Sequence, residues 1–190
     1  DIAISEIAKL ASEPRVRAVG ETGLDYFRTT EELLFLQQHS FEAHIEIAKE
    51  NNIALQIHDR DAHEDVVNTL LRVGAPERTV FHCFSGDRAL AEILIEHGWY
   101  ASFSGTLTFK KNQELRDALA ILPPELILVE TDAPFLTPEP LRGRPNSPYL
   151  IGITLRAMAN VRNVSVNDLA TQITKNTEAV YGSWAEGLNG

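Results

Sequence analysis

Four short apolar runs in this chain each stop at a side chain that can ligate a metal, and that regularity constrains the fold more than any other feature. Arg17-Ala18-Val19-Gly20 stops at Glu21, Ile53-Ala54-Leu55-Gln56-Ile57 at His58, and Thr79-Val80-Phe81 at His82. The fourth, Leu126-Ile127-Leu128-Val129, runs into Glu130-Thr131-Asp132-Ala133-Pro134. Runs of this length, bounded by polar and turn-forming residues, read as buried strands, and Pro134 prevents the last from continuing. Glu21, His58, His82 and Asp132 are separated by 37, 24 and 50 residues. A strand and its return helix occupy about 25–40 residues in a parallel α/β fold. The first two gaps therefore hold one unit each. The third holds two, with Trp99-Tyr100-Ala101-Ser102-Phe103 as the strand between.

Helical patterns fill the gaps. Residues 2–11 predict a helix with Ile4, Ile7, Ala8 and Ala11 on one face. Glu21-Thr22-Gly23-Leu24-Asp25 reads as a loop. A long helix over residues 29–50 follows, opened by Thr29 and Glu32 at capping-box spacing and burying Phe35, Ile45 and Ala48. Helices are predicted over 63–72 and 88–97, closed by Gly74 and Gly98, and over 112–122, stopped by Pro123-Pro124. Residues 134–146 are irregular. Ser147 and Pro148 read as N-cap and first position of the next helix, and Ser165 with Asp168 caps the last, which runs to about residue 181. Strands alternating with helices argue for a parallel sheet covered by helices, here one domain over residues 1–190. A TIM-type (β/α)8 barrel needs eight strands and typically about 250 residues. If the five strands counted belong to such a barrel, about three strands are missing on the N-terminal side.

Side chains at strand C-termini converge on one face of such a fold, so Glu21, His58, His82 and Asp132 form a candidate metal site. Mixed imidazole and carboxylate donors suit zinc, manganese or iron, and magnesium less naturally. The net charge is −10, the wrong sign for a protein that holds nucleic acid by diffuse attraction, so a phosphate substrate has to be gripped locally. No apolar run is long enough to span a membrane, and there is no signal-peptide pattern. Cys83 is the sole cysteine, which favours a reducing, cytoplasmic setting. Cys83 itself reads as a small packing residue. His39, His44, His63 and His97 fall on predicted helices and read as surface or packing residues.

Several blocks resemble the signatures of the TatD family: Gly20-Glu21-Thr22-Gly23-Leu24-Asp25, Ile57-His58-Asp59-Arg60-Asp61-Ala62, Phe81-His82-Cys83-Phe84-Ser85-Gly86 and Glu130-Thr131-Asp132-Ala133-Pro134-Phe135-Leu136. Arg142-Gly143 with Asn146 and Pro148 resembles the next block. The blocks occur in the family's order and cover residues 13–181. The resemblance implies a (β/α)8 barrel of the amidohydrolase-like superfamily and a metal-dependent hydrolase, typically a deoxyribonuclease of 3′-to-5′ exonuclease character. An activity removing D-amino acids from tRNA is attributed to some members.

By position, Glu21 resembles the carboxylate bridging two divalent ions (zinc, manganese or magnesium), His58 and His82 the ligands of one ion, and Asp132 the ligand and base of the other. The family's first strand carries a His-x-His pair, and these 190 residues contain none. The expectation is therefore at most one firmly held ion and a weak or inactive catalyst from this chain alone. Two ions about 3.5–4 Å apart suit phosphodiester hydrolysis, and Asp132 is placed to take the proton of the attacking water. Asp25 and Glu130 are candidates to support the ligands. Arg142 and Arg144, then Arg60, and more weakly Lys110 and Lys111, are candidates to hold a substrate phosphate. DNA, single-stranded or at 3′ ends, is the expected partner. Two alternatives stand beside the nuclease. One is an amidohydrolase-like enzyme acting on a small amide, ester or aminoacyl-tRNA. The other is a catalytically impaired metal-binding fragment.

Overall fold

The structure is a computed structural model that describes residues 2–27 and 29–183. The chain packs as two compact units, one ending at Phe81 and joined by the chain from Glu178, the other spanning His82–Thr177.

The first unit contains α1 (Ile2–Ala11), β1 (Ala18–Asp25), α2 (Glu31–Glu50), β2 (Ala54–Arg60), α3 (His63–Val73) and β3 (Thr79–Phe81). The strands are parallel, with Val19 opposite Leu55 and Ile57 opposite Phe81. Leu24, Phe41, Ile45, Leu55, Ile57 and Leu70 are its buried centre. Residues 21–25 are strand, not the expected loop. A bulge between Val19 and Thr22 absorbs Gly20 and Glu21, after which pairing resumes with Gly23 opposite His58. Glu21 therefore sits at a bulge inside β1 rather than at its end. Gly23 permits this, because a Cβ there would lie 2.0 Å from the His58 carbonyl oxygen, and its φ is +143°.

Two details of α2 also differ from expectation. Its N-cap is Thr30, without a side-chain cap bond, and the Thr29 hydroxyl instead accepts from the Gln37 amide. Phe35 is 75% exposed, while Phe41, Ile45 and Ala48 are fully buried. At 3.6 residues per turn, Phe35 lies about 240° round the helix from Phe41, off the buried stripe. The remaining helix boundaries follow the sequence closely. Gly74 and Gly98 end α3 and α4 with φ of 87° and 68°.

The second unit contains α4 (Arg88–His97), β4 (Tyr100–Phe103), a 3₁₀ turn (Gly105–Thr108), α5 (Gln113–Ile121), β5 (Ile127–Val129), α6 (Ile151–Arg162) and α7 (Val166–Tyr181). β4 and β5 are parallel, Ser102 opposite Leu128. Asp87 caps α4 by accepting from the Leu90 amide at 3.0 Å. Ser147 opens a 3₁₀ turn, Pro148–Leu150, and α6 proper starts at Ile151. The buried Asn176 amide of α7 donates to the Pro124 and Ile127 carbonyls at 2.7 Å each, which fixes the approach to β5. No helix among the described residues is long and apolar enough to cross a membrane.

Ser165 caps α7 as expected. Its hydroxyl accepts from the Asp168 amide at 3.1 Å and donates to the Asp168 carboxylate at 2.6 Å. Ser165→Ala should lower stability by about 1 kcal/mol. Chemical denaturation would show this as a shifted midpoint at constant slope, and an unchanged midpoint would mean that the cap does not hold this end of α7.

Candidate metal centre

In the first unit the β1 bulge and β2 carry Glu21 and His58. His58 Nδ1 lies 3.8 Å from Glu21 Oε2, and Nε2 lies 3.3 Å from Asp25 Oδ2. Asp25 is itself fixed. Its Oδ1 accepts from the Phe27 amide at 2.8 Å, and its own amide donates to Gln37 Oε1 at 2.8 Å. The carboxylate expected to support the ligands does face an imidazole. Alternation along β2 sends Asp59 the other way, where Oδ2 lies 2.7 Å from His63 Nδ1 at the start of α3. Arg60 returns to the His58 side, its guanidinium 3.9 Å above the Phe27 ring. The Tyr26 hydroxyl donates to Asp65 Oδ2 at 2.5 Å. Burial, then the Asp65 bond and charge, push that phenol up to about 12, so it stays a donor at neutral pH.

His44 is the buried histidine of α2, its Nδ1 3.0 Å from the Thr22 hydroxyl on β1. Burial holds its pKa below the usual histidine range. The folded state thus binds this proton less readily than the unfolded chain. Stability is complete above the ordinary histidine pKa of about 6.5 and is lost as pH falls through it. The melting temperature should drop as pH falls below about 6.5 in the wild type and less steeply in His44→Gln. Parallel curves would remove His44 as the source.

In the second unit His82, Glu130 and Asp132 offer ligand atoms that all lie within 4.8 Å of one another. His82 Nδ1 is 3.2 Å from Glu130 Oε1. The Glu130 amide bonds the Phe103 carbonyl at 3.0 Å, continuing the β5 ladder, so Glu130 and Asp132 follow the strand two residues apart. The sequence reading gave Glu130 a supporting place only. The structure brings it into the group itself, and the two-residue spacing at a strand end was the signal for it.

Asp132 has φ +55° and Cys83, next to His82, φ +43°. Left-handed backbone at a non-glycine residue costs of order 1–3 kcal/mol and persists where surrounding structure enforces it. At Asp132 the enforcing residue is Asn146, 5% exposed, whose side-chain amide donates to the Thr131 and Phe135 carbonyls at 2.8 and 2.6 Å. Cys83 Sγ lies 3.1 Å from the Ser104 hydroxyl, in keeping with its packing reading. Arg142 stacks 4.2 Å above the Phe109 ring, and Arg142, Arg144, Lys110 and Lys111 are exposed.

Both groups join imidazole nitrogen to carboxylate oxygen, the donor chemistry of borderline divalent ions. Ligand atoms around one ion at roughly 2.0–2.2 Å lie no more than about 4.4 Å apart, and the His82–Glu130–Asp132 group is already close to that span.

A family profile described as TatD related DNase matches residues 1–182. The chain belongs to the TatD family. It is 41% identical over 186 residues to the Mycobacterium tuberculosis protein named uncharacterized metal-dependent hydrolase TatD, covering 96% of this chain and 70% of that protein. It is also 41% identical over 179 residues to the Escherichia coli K12 protein named uncharacterized metal-dependent hydrolase YcfH, covering 94% and 67%. Among solved structures it matches the E. coli TatD homolog YJJV with a TM-score of 0.90 and 27% identity, over 96% of this chain and 71% of that one. A TatD family hydrolase from Entamoeba histolytica shares the fold at a TM-score of 0.78 and 17% identity. This TatD chain is thus a member of a family of metal-dependent hydrolases, with the TIM-type α/β architecture that the resemblance implied.

Proposed function

We propose that this TatD chain serves a deoxyribonuclease of 3′-to-5′ exonuclease type, acting on single strands or 3′ ends in a cytoplasmic setting. The carrying observation is the His82–Glu130–Asp132 group, a metal-binding donor set held against a strained backbone in a chain whose family profile is named for DNase activity. The proposed ligands are Glu21, His58, His82 and Asp132, serving two divalent ions, with Glu130 against His82 as its support. When bound, such ions polarise a phosphoryl group and make water a stronger acid.

The remaining roles belong to side chains of the chain itself. Asp132 accepts the proton of the attacking water. Glu130, 3.2 Å from His82 Nδ1, fixes that imidazole's tautomer by taking the ring N–H. Asp25, 3.3 Å from His58 Nε2, orients the other imidazole. Arg142 and Arg144 hold a non-scissile phosphate, and Arg60 is a weaker candidate.

Labelled single-stranded DNA, duplex DNA and a panel of small amides, each assayed with zinc, manganese and magnesium, test the reading. Stepwise loss of 3′ nucleotides that a chelator abolishes is the expected result. Cleavage of amides with DNA untouched would move the protein to the amidohydrolase alternative, which the net charge of −10 favours. Arg142→Ala and Arg144→Ala should each weaken DNA binding roughly 10- to 150-fold with a smaller effect on turnover. A turnover defect at unchanged affinity would place them at the scissile group instead.

A further inference from the structure

We propose that Phe135 is the platform on which the terminal base of the bound strand stacks, an inference that rests on the nuclease reading above and names the part of the substrate recognised next to Asp132.

The turn that carries Phe135 is fixed from several sides. The Phe135 amide donates to the Asp132 carbonyl at 2.9 Å, and its carbonyl accepts from buried Asn146 at 2.6 Å. The Asn146 amide also bonds the Pro134 carbonyl at 3.0 Å, and Asn146 Oδ1 accepts from the Ser147 amide at 2.9 Å. On the far side, Leu136 has φ +54° and its carbonyl packs so closely on Gly105 that a Cβ there would sit 2.1 Å away. Backbone on both sides of Phe135 is thus immobilised, yet its ring is 67% exposed. A single apolar residue on a surface is ordinary. A phenyl ring held outward by a buried asparagine, three residues from a carboxylate of the ligand group, is a prepared surface. Ordering the backbone beforehand removes the entropy that a loop aromatic would lose on binding.

The chemistry of the occupant follows from charge. At net −10 the chain repels a polyanion at long range, and Asp132 and Glu130, three and five residues before Phe135, add negative charge. Stacking needs no complementary charge and tolerates any base, which suits an enzyme that removes successive nucleotides irrespective of sequence. A small amide or ester substrate offers no such flat heteroaromatic face as a class.

The test uses metal-loaded full chain and two oligodeoxynucleotides, (dT)8 ending in a 3′ adenosine or in a 3′ abasic nucleotide, with phosphorothioate terminal linkages to slow cleavage. Fluorescence anisotropy gives both affinities. Wild type should prefer the adenosine strand by roughly 5- to 150-fold, the range for losing one stacked base. Phe135→Ala should bring that ratio close to 1, and Phe135→Trp should keep it. A 2-aminopurine in the terminal position should be quenched on binding wild type and not Phe135→Ala, a signature that a merely structural role would not produce. Equal wild-type affinities for the two strands, or an undiminished ratio in Phe135→Ala, would overturn the stacking role and leave the nuclease reading standing. Failure of wild type to bind either strand would remove both.

Discussion

Asp132→Asn should fold as the wild type does and lose hydrolysis by at least about 10²–10⁴-fold, the share a positioned general base contributes. Asparagine is nearly isosteric, and it tolerates left-handed backbone as well as aspartate does, so φ +55° remains accessible. The bonds from Asn146 to the Thr131 and Phe135 carbonyls do not involve the Asp132 side chain and are kept. What disappears is the charge that, on the proposed reading, attracts a cation and takes a proton. Matching melting curves with cleavage of labelled DNA lost would meet the expectation. Near-normal turnover would show that the base lies elsewhere. Metal content measured on the same material separates a lost ion from a lost base.

The second large effect is expected in the first unit. Gly23→Ala should destabilise the protein by about 3–5 kcal/mol, among the more severe single substitutions. Two costs combine. The φ of +143° lies in a region that side chains avoid, and the new methyl would meet the His58 carbonyl at 2.0 Å. Relief requires β1 and β2 to part where they hold Glu21, Asp25 and His58. Any Gly23→Ala protein that still folds should therefore show weakened metal affinity in addition to a lowered denaturation midpoint. A stable variant with normal affinity would mean that the two strands yield without moving the imidazole.

The two substitutions also mark the boundary of what could be read from residues alone. Periodicity located all five strands and most helix ends, because buried apolar runs and cap residues such as Gly98 and Ser165 act within a few neighbours. Where the reading failed, the deciding contact came from elsewhere in the chain. Residues 21–25 looked like a loop because a glycine and two carboxylates suggest one, and pairing with β2 made them strand. Phe35 looked like core because it is apolar, and the phase of α2 set by Phe41, Ile45 and Ala48 left it outside. Asp25 and Glu130 were legible as nearby carboxylates, but their 3.3 and 3.2 Å approaches to His58 and His82 were not.

By itself the sequence determined the alternation of strands and helices, the donor residues at or near strand ends and the family they signal, since each depends on spacing along the chain. Tertiary structure alone decided which carboxylate faces which imidazole, that Glu130 joins His82 and Asp132, and that Asn146 forces the turn at Asp132 while leaving Phe135 outward. The physical reason is range. Burial patterns and caps are local, whereas a hydrogen bond between residues 15 or 48 apart exists only once the strands and turns have been packed.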